Sequence, residues 1–119
     1  MKDPIFDPII INKLNIKNSR YFPGMHIGMA KNFEVTDQNL IFYAAKGQGG
    51  AAMICTGFAT VDEFFGNTKN IGAYDDKFIS GLQLLAKTIK YNGSQRGFIS
   101  IIGTWPRDRL SLIMGELNY

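Results

Sequence analysis

Few side chains in this sequence are of types that do chemistry, and their spacing narrows what that chemistry can be. There is one histidine, His26, and one cysteine, Cys55. A histidine with no nucleophile or carboxylate at catalytic spacing is by default a surface or satisfied core residue, so His26 alone defines no acid–base pair. Cys55 ends the apolar run Ala51-Ala52-Met53-Ile54-Cys55, where burial as a small hydrophobe is expected in place of thiolate reactivity. Asp75-Asp76 is a carboxylate pair in sequence only, because adjacent side chains point apart; a role at the entry to a helix near Phe78 is expected, not metal binding. Tyr43 and Tyr74 have no acid–base partner nearby in the chain. Gly47-Gln48-Gly49-Gly50 follows a helix and precedes a strand, the reverse of the order a phosphate-binding loop needs. What remains is Pro23-Gly24-Met25-His26-Ile27-Gly28-Met29-Ala30, with glycine at two positions and no helical stripe. That is a loop whose backbone can approach a ligand.

The elements that must position this loop read as follows. Ile9-Ile10-Ile11 and Leu14-Asn15-Ile16-Lys17-Asn18 flank Asn12-Lys13 as the two short strands of a β-hairpin. Ser19-Arg20-Tyr21-Phe22 is a short strand stopped by Pro23-Gly24. Thr36 is placed to cap a first helix running through Leu40 to Lys46, with Gly47 or Gly49 ending it. Ala51 to Thr56 is short and continuously apolar, which predicts a strand buried on both faces; a long loop from Gly57 to Asp76 follows. Phe78, Leu82, Leu85, Ala86 and Ile89 recur at steps of three and four, predicting a second helix closed by a left-handed cap at Asn92-Gly93. Gly97 to Ile102 supplies a third buried strand, and Leu110 to Met114 a short apolar tail. Strand and helix alternate, so an α/β arrangement with right-handed parallel crossovers is expected, its ligand side at the carboxyl ends of the strands. Three parallel strands leave an open edge and an uncovered face, which predicts self-association through the exposed sheet edge.

The chain has 119 residues, room for one domain. Hydrophobic residues at 45% against 19% charged exclude wholesale disorder. The net charge of +3 comes from singly scattered charges, so no nucleic-acid-binding stripe is expected. No apolar run approaches the ~18 residues of a membrane span, and the first residues lack a signal-peptide core, so the expectation is a cytoplasmic protein with no membrane partner.

Several pieces taken in order resemble one family. They are Pro4-Ile5-Phe6-Asp7-Pro8, Leu14 to Arg20, Pro23 to Ala30, Val35-Thr36-Asp37, Tyr43 to Gly47, Gly50 to Gly57 and Tyr74 to Ile79. Their succession is similar to the start of the Old Yellow Enzyme family of flavin oxidoreductases, particularly its 2,4-dienoyl-CoA reductase-like branch, over residues 4 to about 100. The resemblance implies a (β/α)₈ barrel with a hairpin at its base and FMN at the carboxyl ends of its strands. A complete barrel takes about 250 residues. The chain is therefore expected to be a single partial domain, the first three β/α units of an incomplete TIM barrel, with residues 101–119 departing from the family pattern.

By the same resemblance, Gly24, Met25 and His26 contact the flavin ring, Gly57 lets the ring sit close to the chain, and Ser100 occupies a further cofactor-binding position. No metal site and no catalytic residue is carried over. In the family the phosphate-binding arginines, the proton donor and any iron–sulfur cysteines lie beyond the matched region. Family members end the third strand with Gln-Leu, one or two further residues, then His and Gly-Arg. Here Ser100-Ile101-Ile102-Gly103-Thr104-Trp105-Pro106-Arg107 stands instead, and serine has neither the reach nor the paired donor and acceptor of glutamine. One choice of codons that the genetic code permits, TCA-ATT-ATT-GGG-ACA-TGG-CCG-AGA, spells this segment, and read one nucleotide later it spells Gln-Leu-Leu-Gly-His-Gly-Arg. A frame disturbance near Ser100 is the resulting expectation, and the nucleotide sequence decides it. The implied function is an FMN-dependent, NADH- or NADPH-dependent ene-reductase-like oxidoreductase. It reduces the activated C=C bond of a small enone or enoyl substrate through hydride from FMN N5. The alternative is an inactive, truncated or frame-disturbed gene product without independent catalysis.

Overall fold

The computed structural model of the chain describes residues 3–64 and 67–94, and the backbone alone of 96–102. The apolar tail and the Gly103 to Arg107 segment lie outside the described residues, as does the side chain of Ser100. The expected hairpin is present, β1 (Ile9–Ile11) pairing antiparallel with β2 (Leu14–Ile16). Asn12 turns it with φ of +55°, a left-handed conformation that asparagine tolerates better than most residues.

Strand β3 (Tyr21–Phe22) is shorter than Ser19 to Phe22. Helix α1 (Asp37–Gln48) begins in a capping box. Thr36 Oγ1 accepts from the Asn39 amide, and Asn39 Oδ1 accepts from the Thr36 amide at 3.0 Å. Gly49 ends the helix. Gly47 lies inside it, where a Cβ would stand 2.7 Å from the Asn92 carbonyl oxygen, so this glycine permits the close approach of α1 to α2 (Ile79–Tyr91). Asp75 acts at the helix entry as expected, accepting from the Lys77 amide at 2.9 Å. At the far end of α2, Gly93 takes φ of +96° and the Ser94 amide donates to the Ile89 carbonyl, which closes the left-handed cap.

Three strands run parallel, β4 (Met53–Thr60) lying between β3 and β6 (Arg96–Ile102). A two-residue β5 (Ile71–Gly72) joins the end of β4, so the expected long loop is interrupted: β4 continues four residues past Thr56 and the chain returns to pair with it. The described residues form a mixed α/β layer with no closed barrel.

The helices pack on one face of the sheet. Ile54 and Ala59 meet Tyr43 of α1 and Leu82, Leu85 and Ile89 of α2, with Phe78 at the edge. Burial of β4 on both faces does not hold. Ile54 and Thr56 are buried, whereas Met53 and Cys55, on the face away from the helices, are half-buried. Cys55 is therefore a half-exposed thiol, not a core hydrophobe.

Hydrogen bonds lock the amino ends of the strands. Asn18 Nδ2 donates to the Gly50 carbonyl and the Arg20 amide to Asn18 Oδ1, both at 2.9 Å. Ser94 Oγ donates to the Ala51 carbonyl at 2.6 Å, and Lys17 Nζ to the Gly93 carbonyl. These bonds hold the hairpin and both helix-to-strand turns together at the amino ends of the strands.

Candidate functional site

The site is organised by an irregularity in β4. Thr56 pairs with Ile99 and Ala59 with Ile101, so Gly57 and Phe58 together face the single residue Ser100 of β6. This is a β-bulge, with one extra residue in β4. It shifts the inward alternation: Ile54 faces the helices before it and Ala59 after it. The bulge also removes the ladder partners of Gly57, and two side chains replace them. The Gly57 amide donates to the Tyr43 hydroxyl at 2.8 Å, and Thr56 Oγ1 donates to the Gly57 carbonyl at 3.0 Å. Tyr43 is fully buried, and that burial is the main reason its hydroxyl pKa lies above the ordinary tyrosine value; the Gly57 amide acts in the opposite direction.

The loop after β3 crosses this bulge at close range. A Cβ on Gly57 would lie 2.5 Å from the Met25 carbonyl oxygen and 3.4 Å from His26 Cα; a Cβ on Gly24 would lie 2.9 Å from the Thr56 carbonyl oxygen. The absent side chains of both glycines are thus accounted for by chain crossing chain. The His26 imidazole stacks on the Phe58 ring with centroids 4.8 Å apart and planes 12° from parallel. His26 is exposed and Met25 is 49% exposed. Gly28 holds φ of +61°, the conformation for which its lack of a Cβ is needed.

The fold therefore brings Gly24, Met25, His26 and Gly57 together at the carboxyl ends of β3 and β4, and the backbone of Ser100 to the same level on β6. Of this cluster, Phe58 was not singled out from sequence, and Tyr43 was considered there only as a tyrosine without an acid–base partner. The available signal was Gly57 within an apolar run, since a glycine inside a strand pattern often marks a bulge. On the face away from the helices, the neighbouring Cys55 side chain raises the Tyr21 pKa above the ordinary tyrosine value. Among the described residues no three His, Cys, Asp or Glu side chains converge to hold a metal ion, and no helix is long and apolar enough to cross a membrane.

No family model matches the chain. A metal reductase of Desulforamulus reducens is 36% identical over 92 residues, 76% of this chain and 14% of that protein. Among solved structures, Old Yellow Enzyme from Pichia sp. superposes with a TM-score of 0.75 at 19% identity, over 94% of this chain and 30% of its own. A 2-naphthoyl-CoA reductase in complex with 2-naphthoyl-CoA gives 0.74 at 20% identity, over 81% and 15%. Morphinone reductase in complex with tetrahydroNAD gives 0.73 at 14%, over 84% and 27%. The resemblance read from the sequence is upheld at the level of the fold: the chain's structural neighbours are Old Yellow Enzyme family members, and they share its α/β architecture over most of its length. The chain spans about one seventh of the metal reductase and less than a third of each of these solved chains.

Proposed function

We propose that this chain forms the ring-facing part of an FMN site in an oxidoreductase of the Old Yellow Enzyme type, its sheet being the first three strands of a (β/α)₈ barrel. The observation that carries this reading is the convergence of the Gly24 to His26 loop, the Gly57 bulge and the Ser100 backbone at one level on the carboxyl side of the sheet.

The residues fit a flavin ring. Among the described residues, the amides of Met25, His26 and Ile27 make no hydrogen bond, and the exposed His26 imidazole adds a polar group beside them. A ring edge bearing nitrogen and oxygen acceptors suits such donors. These amides and His26 would hold the ring edge, while the bulge fixes how near the chain approaches it. When bound, FMN supplies hydride transfer between NADH or NADPH and an activated C=C bond of a small enone or enoyl substrate. The acyl-CoA and tetrahydroNAD of two neighbours support those classes of substrate and donor. The free thiol of Cys55 suits a reducing, cytoplasmic setting.

Titrating FMN with the purified chain and following flavin fluorescence tests the reading. Saturable, stoichiometric binding is expected, weakened about tenfold in His26→Ala by loss of a hydrogen-bonding contact. Unchanged flavin fluorescence in the presence of chain that circular dichroism shows to be folded would overturn it.

A further inference from the structure

We propose that Tyr43 is a positioning residue for this site: its buried hydroxyl holds the β4 bulge in register and, through the bulge, sets Phe58 against His26. The functional meaning of this inference rests on the flavin reading above; its structural content does not.

A bulge disrupts the ladder where two residues oppose one. Here Gly57 and Phe58 both lack a partner on β6, and Gly57 is met by side chains instead. Its carbonyl is answered by the neighbouring Thr56 hydroxyl, but its amide is answered from another element, by Tyr43 on α1. A buried amide without an acceptor is costly, so loss of the Tyr43 oxygen favours any rearrangement that pairs the amide again. Pairing the amide within the β-ladder means removing the bulge. Slipping a strand by one residue sends its following side chains to the opposite face. Phe58 would then leave the His26 ring, and the Met25 carbonyl, seated where a Gly57 side chain would be, would move with the strand. Tyr43 is suited to the role because it is fixed itself. It is fully buried, its ring meets Phe42 edge to face at 5.2 Å, and its helix is capped by Thr36. Burial also keeps the hydroxyl protonated and neutral through ordinary pH.

Because His26 is the one histidine of the chain, its ring-proton NMR signals are unambiguous. The stacked Phe58 should displace them upfield in the FMN-free chain. Phe58→Leu removes that displacement and calibrates it. Tyr43→Phe, which keeps the ring and deletes only the oxygen, should move the His26 signals toward the Phe58→Leu values and speed hydrogen exchange of the Gly57 amide about tenfold. His26 signals and Gly57 exchange identical to the parent chain in Tyr43→Phe would overturn the proposal. If that variant does not fold, the parent chain decides. A Gly57 amide protected like its β4 neighbours supports the proposal, and one exchanging like an exposed loop amide refutes it. With FMN present, Tyr43→Phe should weaken binding about tenfold. Failure of the parent chain to bind FMN at all would count against the flavin reading, while the His26 signals, recorded without FMN, still judge Tyr43.

Discussion

Replacing Gly57 with alanine should lower stability by about 1–3 kcal/mol, the usual cost of forcing a methyl into filled space, and should abolish FMN binding with it. The methyl would arrive 2.5 Å from the Met25 carbonyl oxygen, a backbone atom that cannot swing aside as a flexible side chain would. Relief requires the Pro23 to Ala30 loop to lift from the bulge, carrying Met25 and His26 away from the level of Gly57. Stability and ligand binding therefore fall together, because one contact serves both. Gly81→Ala is the control. A Cβ there meets Val35 Cβ at 3.4 Å, an ordinary contact, and alanine within a helix gains about 0.5–1 kcal/mol over glycine. Urea unfolding followed by circular dichroism should show the Gly57→Ala midpoint displaced downward and the Gly81→Ala midpoint unchanged or raised. Coincident midpoints for Gly57→Ala and the parent chain would show that the loop does not rest on the bulge.

The second large effect lies in α2, where adjacent leucines should behave oppositely. Leu85 is 1% exposed and packs into the cluster with Ile54, Leu82 and Ile89; Leu84 is 51% exposed. Leu85→Ala removes buried methyl groups and leaves a cavity between helix and sheet, costing about 2–5 kcal/mol. Leu84→Ala takes from the surface a side chain already largely in water, and its effect should stay within about 0.5 kcal/mol. The same urea titration reads both. Equal losses at the two positions would mean that the helix turns a different face to the sheet.

The contrast between those leucines explains why α2 was legible in sequence. A helix that buries one stripe writes its contacts at intervals of three and four, and Leu82, Leu85 and Ile89 repeat that interval. Helix α1 was legible through its cap, Thr36, more than through a stripe, since its deeply buried residues are Asn39, Tyr43 and Gly47. The parallel β–α–β–α–β order followed from alternation alone. What sequence did not disclose are contacts between residues far apart in the chain that carry no periodicity. The Tyr43–Gly57 bond joins a helix to a strand, and Asn18 is buried because it bridges to Gly50 from a different turn. The extension of β4 to Thr60 was hidden by the bulge, which breaks the regular alternation just where Gly57 invites a loop assignment. For the site, the Gly24, Met25, His26 and Gly57 positions came from family resemblance, and the fold brings them together. The Phe58 ring stacked on His26 and the Tyr43–Gly57 bond are long-range contacts that only the fold reveals.

The most direct test of the flavin site is a residue-by-residue titration of the isotopically labelled chain with FMN, read from backbone amide NMR shifts. The account predicts that the largest shifts fall on Met25, His26, Ile27 and Gly57, with the His26 ring signals moving at the same FMN concentration. Shifts confined to the hairpin end of the sheet, or none at FMN concentrations far above the protein's, would contradict it.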